Sequence, residues 1–257
     1  MIVLKSVKEI EKMRQVNLIV AQILEVVRGF IKPGIATSEL EAVAEEEINR
    51  RGVKGAFKGV PNPQGFGEPF PANLCMSLND EIVHGIPSDK KKLSDGDLIS
   101  IDFGVLSQGF YGDSAISVAV GEAGEDVNRL IKNAEESLAA GISEARPGNR
   151  MGDLSSAVQE VVEGAGYNVV REFVGHGIGR DLHEDPQVPN FGTRGRGIKL
   201  TEGMVVASEP MINAGGPGVR LDADGWTART RDGSLAAHVE HTVAITKDGP
   251  VILSRLG

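Results

Sequence analysis

Apolar residues recur at the spacing of one helix face from Val7 through Ile10 and Met13 onward. Ser6-x-x-Glu9 ahead of them reads as a capping box, so a long helix is predicted to open there. A Pro-Gly turn and a second amphipathic stretch follow, KPGIATSELEAVAEEEINRRG from Lys32 to Gly52, with Ser38-x-x-Glu41 as its capping box and Gly52 as its stop. The arrangement then recurs: a periodic stretch predicts a helix over roughly Glu125 to Glu144, and RPGNRMGDLSSAVQEVVEGAG runs from Arg146 to Gly166. Pro33/Pro147, Gly34/Gly148, Leu40/Leu154 and Gly52/Gly166 match at one constant offset.

A second match follows each helix pair, where the period changes from helical to alternating. LSDGDLISIDF (Leu93 to Phe103) resembles LTEGMVVASEP (Leu200 to Pro210) and sets Asp102 against Glu209. Along the first strand Leu98, Ser100 and Asp102 share one face, while Ile99, Ile101, Phe103 and Val105 form the apolar other. Ser107-Gln108-Gly109 is turn chemistry, and a pivot between 107 and 108 would put Asp102 directly opposite Asp113. In the later copy Val205, Ala207 and Glu209 alternate on one strand, and His238, Glu240, Thr242 and Ala244 on another. Asp224-Gly225 lies midway between Glu209 and Glu240 as a hairpin signal, so those strands are predicted to pair around a nested smaller hairpin. Two α/β halves, roughly 1–120 and 121–257, would then form one catalytic domain over 1–257.

Composition narrows the function classes. The 257 residues are 40% hydrophobic and suffice for a large core. The formal net charge of -9 argues against a nucleic-acid or anionic-membrane footprint. One cysteine, Cys75, excludes an internal disulfide and a Cys-based zinc knuckle. Charges interrupt the N-terminal stretch too early for a signal peptide, and no apolar run approaches a membrane span. A cytoplasmic protein is the expectation.

Four carboxylates converging from two halves cannot all stay ionised in a small space, because like charges drive each other's pKa upward. Shared protons or cations would relieve them, and two divalent ions balance four charges. Three of the five histidines, His84, His176 and His183, stand in Gly/Pro-bounded segments flanking the carboxylate strands, but spacing alone does not choose a ligand among them. GHGIGR is not a dinucleotide fingerprint, since Arg180 occupies its last position, and Pro186 breaks any helix starting at His183-Glu184. With neither a GxSxG elbow nor a Walker A loop, the residues point to a two-metal hydrolase.

NDEIVHGIP, the Asp102–Asp113 hairpin, GHGIGRDLHEDPQVPN, SEPMIN and VEHTVAIT together resemble the type I methionine aminopeptidases over nearly the whole chain. The resemblance implies the α+β pita-bread fold, two pseudo-symmetric halves around a curved antiparallel sheet. It implies Asp102, Asp113, His176, Glu209 and Glu240 as ligands of two divalent ions (cobalt, manganese, iron or zinc), with Asp113 and Glu240 bridging. A metal-bound hydroxide would attack the carbonyl of an N-terminal methionine, Glu209 would shuttle the proton, His183 would stabilise the oxyanion and His84 would contact the scissile amide. Phe70, Cys75, Leu182 and Trp226 would line the methionine pocket, with a small second residue preferred. The partners implied are nascent polypeptides, met at the ribosome, by a monomer.

Three features depart from the family pattern: Leu182 where an aromatic residue is common, His238 where glutamine is usual, and a Pro/Gly-rich segment from Gly59 to Pro71. Xaa-Pro aminopeptidases and prolidases share the expected fold but normally carry a separate N-terminal domain. Type II methionine aminopeptidases carry a helical insertion, for which the stretch between His176 and Glu209 is too short. Non-catalytic pita-bread proteins have typically lost ligands, and all five are present here.

Overall fold

The computed structural model describes residues 1–63, 65 and 67–256. Within the Gly59 to Pro71 segment, Gln64 and Phe66 lie outside the described residues. The first half contains α1 (Val7–Arg28), α2 (Thr37–Arg51), β1 (Lys54–Gly55), β2 (Leu74–Leu78), β3 (Glu81–Val83), β4 (Leu98–Ser107) and β5 (Phe110–Ala119). Then come α3 (Glu125–Ser143), α4 (Met151–Gly164), β6 (Asn168–Val169), β7 (Gly175–Gly177), β8 (Glu184–Val188) and β9 (Val205–Ser208). The chain continues through β10 (Met211–Asn213), β11 (Val219–Leu221), β12 (Ala228–Thr230), β13 (Ala236–His238), β14 (Glu240–Thr246) and β15 (Gly249–Ile252).

Helix α1 begins where its capping box predicts. The Glu9 N–H donates to the Ser6 hydroxyl, and the Ser6 N–H donates to the Glu9 carboxylate at 2.9 Å. Helix α2 starts before its predicted box. Ala36 is the N-cap, and its N–H donates to Glu39 at 2.8 Å. Glu41 instead accepts the Asn73 and Leu74 N–H groups at 2.7 and 2.9 Å, tying α2 to β2. Tertiary demand has taken the residue that the local motif reserved for a cap. At α4 the Arg150 N–H meets Asp153 at 2.7 Å, as at Ala36. Ala36 bridges Lys92 and Arg150 bridges Lys199, so the two matched segments repeat their hydrogen bonding as well as their residues.

All the pairings of the main sheet are antiparallel, in the order β1-β4-β5-β14-β9-β7-β8, with β2 also on β4 and β15 on β14. Met13, Val16, Val20 and Ile23 of α1 pack on Ile99, Ile101, Phe103 and Val105, the predicted apolar face of β4. In the second half, Leu130 and Leu138 of α3 and Leu154 and Val158 of α4 share a core with Val206, Val243 and Ile245. Helices thus cover one face of a curled sheet in each half, which is the pita-bread arrangement.

The β4–β5 hairpin corrects the expected register. Gly104, not Asp102, faces Asp113, and Asp102 faces Ala115. The turn is the two-residue pair Gln108-Gly109, with φ of 53° and 77°. Both positive values suit a type I′ turn, which lets Ser107 pair with Phe110. The slip is two residues, an even number, so Asp102 and Asp113 keep a common face and become diagonal neighbours. The second hairpin follows its prediction. Ser208 faces His241, Met211 faces His238 and Val219 faces Thr230, so one register runs from the main sheet to the tip. At the tip Gly225 has φ 76°, and the Asp224 carboxylate accepts the Trp226 and Thr227 N–H groups, both at 2.8 Å.

Candidate metal centre

The halves join where β5 meets β14, across Glu240↔Ala115 and His241↔Ser114. Ser114 Oγ donates to the Glu240 carbonyl and Thr242 Oγ1 to the Asp113 carbonyl, each at 2.8 Å. This joint sets Asp113 and Glu240 side by side. Helix α1 packs close on the same spot from behind: at Gly112 a Cβ would lie 3.1 Å from the Asn17 backbone nitrogen, so any side chain there would push the helix back by a few tenths of an ångström. The buried Asn17 amide oxygen then accepts the Asp113 N–H at 3.2 Å.

His176 arrives from β7, the next strand beyond β9. The glycines around it serve strand packing: a Cβ at Gly175 would sit 2.3 Å from the Ala207 carbonyl oxygen, and at Gly177 2.2 Å from that of Asp185. His176 Nδ1 lies 2.9 Å from the Gly177 carbonyl oxygen. A carbonyl only accepts, so Nδ1 carries the proton and the Nε2 lone pair is free. Ligand atoms of Asp113, His176 and Glu240 lie within 4.8 Å of one another. Glu209, just after β9, is bracketed by imidazoles, with His176 Nε2 3.5 Å from Oε1 and His238 Nε2 3.4 Å from Oε2. Asp102 adjoins Asp113 across the hairpin diagonal.

The donors fit a divalent cation on their own evidence. Asp102 Oδ1, Asp113 Oδ1 and Glu240 Oε1 are buried without a hydrogen-bond partner, a costly state for carboxylate oxygens. Burial first, then Asp113 and Glu209, pushes the Asp102 carboxyl well above its usual range. Burial and the same kind of crowding, from Asp113, Glu209 and Asp102, lift Glu240. Asp113 is raised to about 7, chiefly by burial. Hard oxygen donors with one imidazole suit a first-row divalent ion.

The cluster opens on a cavity of about 800 Å³, whose lining includes His84, His183, Trp226 and all five carboxylate and imidazole donors above. Phe70, Cys75 and Trp226 form one apolar group with Phe57 and Ala72, and Leu182 packs against it. Phe70 and Trp226 meet edge to face at 5.1 Å. His84, with φ 61°, follows β3 and stands between Phe173 (5.5 Å) and Trp226 (6.1 Å). Burial draws its pKa down to about 4, so it is neutral at pH 7. His183 stacks edgewise on His176 at 4.4 Å. Every site residue expected from the sequence therefore borders this cavity. Phe57, Phe173 and Asn17 were not foreseen: they lie outside the motifs, and Asn17 reads as an ordinary position of an amphipathic helix.

The profile of metallopeptidase family M24 matches residues 11–247. The chain is similar to a methionine aminopeptidase of Clostridium acetobutylicum, 46% identical over 99% of each chain. It is similar to methionine aminopeptidase 1 of Bacillus subtilis, 46% identical over 100% of each. The crystal structure of a methionine aminopeptidase from Thermotoga maritima superposes with a TM-score of 0.94 at 44% identity, covering 100% of both chains. A prolidase from Pyrococcus horikoshii shares the fold, with a TM-score of 0.75 at 24% identity, covering 99% of this chain and 64% of its own. Among the described residues, no helix is long and apolar enough to cross a membrane.

Proposed function

The chain belongs to metallopeptidase family M24, and from that premise we propose that it removes the N-terminal methionine from polypeptides whose second residue is small. The observation that carries this reading is full-length likeness, at 46% identity, to methionine aminopeptidases. We assign Asp102, Asp113, His176, Glu209 and Glu240 as the residues that would hold two divalent ions. Bound there, such ions supply Lewis acidity toward the scissile carbonyl and the attacking water.

The chain's own residues divide the remaining work. Glu209 takes a proton from water and delivers it to the leaving amine, with the His238 imidazole 3.4 Å from one of its oxygens. His183 donates to the oxygen that gains charge, and neutral His84 holds the scissile amide. Phe70, Cys75, Leu182 and Trp226 enclose the methionine side chain and exclude water. The whole chain acts as one catalytic unit, a monomer working on nascent chains in the cytoplasm, at or near the ribosome. Purified protein with added Mn(II) or Co(II) is expected to release methionine from Met-Ala-Ser and not from Met-Lys-Ser. Cleavage of neither peptide, or equal cleavage of both, would overturn the assignment.

A further inference from the structure

Behind the cavity wall lies a cluster of charges that the proposed chemistry leaves unused. The Arg229 guanidinium makes three contacts: Nη1 to Asp80 at 2.5 Å, Nη2 to Glu81 at 2.7 Å and Nε to Asp222 at 2.6 Å. Glu81, only 2% exposed, also accepts from Lys91 Nζ and from the Leu78 N–H, each at 2.8 Å. Arg220 closes the group on Asp222 at 2.7 Å. Three acids and three bases balance in number.

The placement of these residues matters more than their count. Arg229 and Asp222 belong to the β11–β12 arm, with Trp226 at its tip; Asp80 and Glu81 lead into β3, and His84 follows it. The backbone joint between the arms is short: Ala228 faces Val83, Arg229 faces Glu81 with a register shift between them, and the Thr230 N–H donates to the Asp80 carbonyl at 2.9 Å. Trp226 Nε1 donates to the Glu68 carbonyl at 3.0 Å and Asn62 Nδ2 to the Gly225 carbonyl at 2.9 Å, so the 59–71 segment holds the tip on one side and the arm that carries it on the other. Arg229, Asp80 and Asp222 are each about a quarter exposed, so these ion pairs add little to stability by themselves. A planar fork gripping three carboxylates instead admits one relative placement of the arms.

We propose that Arg229 is a positioning residue for specificity, setting the spacing of Trp226 against His84 and Phe70 and so the fit of the apolar pocket. The kinetic consequence rests on the proposed methionine-releasing activity; the structural one does not. Trp226 is the sole tryptophan, so its emission reports the wall directly. Arg229→Gln is expected to move that emission to longer wavelength and increase its quenching by acrylamide. KM for Met-Ala-Ser should rise about tenfold while kcat changes less than about twofold, the pattern of binding lost equally from ground state and transition state. Asp222→Asn keeps the grips on Asp80 and Glu81 and should shift both readouts in the same direction by less. It decides the matter if Arg229→Gln does not fold by circular dichroism. Native emission in both folded variants, or a tenfold fall in kcat at constant KM, would overturn the proposal. If the wild type cleaves neither peptide, the functional reading fails, and the emission measurements still test the positioning role by themselves.

Discussion

Replacing Asp113 by asparagine should stabilise the metal-free protein while weakening the metal-loaded one. The buried carboxyl has a pKa of about 7 against an ordinary 3.8, raised first by burial and then by Glu209. Below pH 4 it is protonated both folded and unfolded, and it costs nothing. Between pH 4 and 7 the folded chain keeps a proton that the unfolded chain has released, so stability falls as pH rises. Above 7 the full cost persists, on the order of 4 kcal/mol at 1.36 kcal/mol per pH unit. Asparagine has nearly the same shape, carries no charge, and its amide can donate to the unpartnered oxygens of Asp102 or Glu240. After chelation and at pH 7.5, Asp113→Asn should therefore unfold about 10 °C above wild type. The gap should close toward pH 4. Histidines whose pKa values are lowered by burial, such as His84 and His241, tilt the pH dependence the other way, but both proteins share them and the difference removes them. Adding Mn(II) should reverse the order, because wild type gains more from binding. Calorimetry with and without EDTA makes the measurement. A metal-free variant no more stable than wild type at pH 7.5 would mean that Asp113 is not under electrostatic strain.

His238→Leu removes the imidazole from Glu209 and is expected to weaken Mn(II) binding by about 10- to 100-fold in calorimetric titration. His238→Gln keeps an N–H donor and should retain most of the affinity; equal losses in both variants would count against a hydrogen-bonding role. Lys5 and Glu184 form an ion pair at 2.5 Å with side chains 3% and 9% exposed. Lys5→Met strands the Glu184 charge and should cost about 3–5 kcal/mol in urea unfolding. A loss below about 1 kcal/mol would show that the Arg180 N–H, 2.7 Å from Glu184, suffices by itself.

Local chemistry made much of this molecule legible in its sequence. Ser6 and Glu9 can satisfy each other without help from distant residues, so α1 starts where they say. Asp224-Gly225 carries its own turn geometry, and with the tip fixed the pairing of both limbs followed. Expectation and structure part where a distant partner displaces the local one. Glu41 fits a cap but serves β2, and Glu39 closes α2 in its place. Gln108 takes a positive φ that its side chain does not advertise, so the first hairpin turns one residue later than its sequence suggests. The carboxylates still converge because an even slip preserves the face, and the alternation of Ser100, Asp102 and the apolar residues between them recorded that face. The Arg229 cluster was invisible, since Asp80, Glu81, Asp222 and Arg229 meet only after the long hairpin folds back.

The unbroken register of that hairpin constrains how the gene can change length. On the limb leaving Ser208, residues 211–213 and 219–221 each pair with one residue of the limb returning to His241, in the same register as Ser208 with His241. A single codon inserted in either limb would rotate every side chain beyond it to the opposite face, taking Glu209 or Glu240 out of line with its counterpart. At the Asp222–Thr227 tip the same insertion would only enlarge a loop. Indels among descendants of this sequence should therefore collect at that tip, and the limbs should vary by substitution alone.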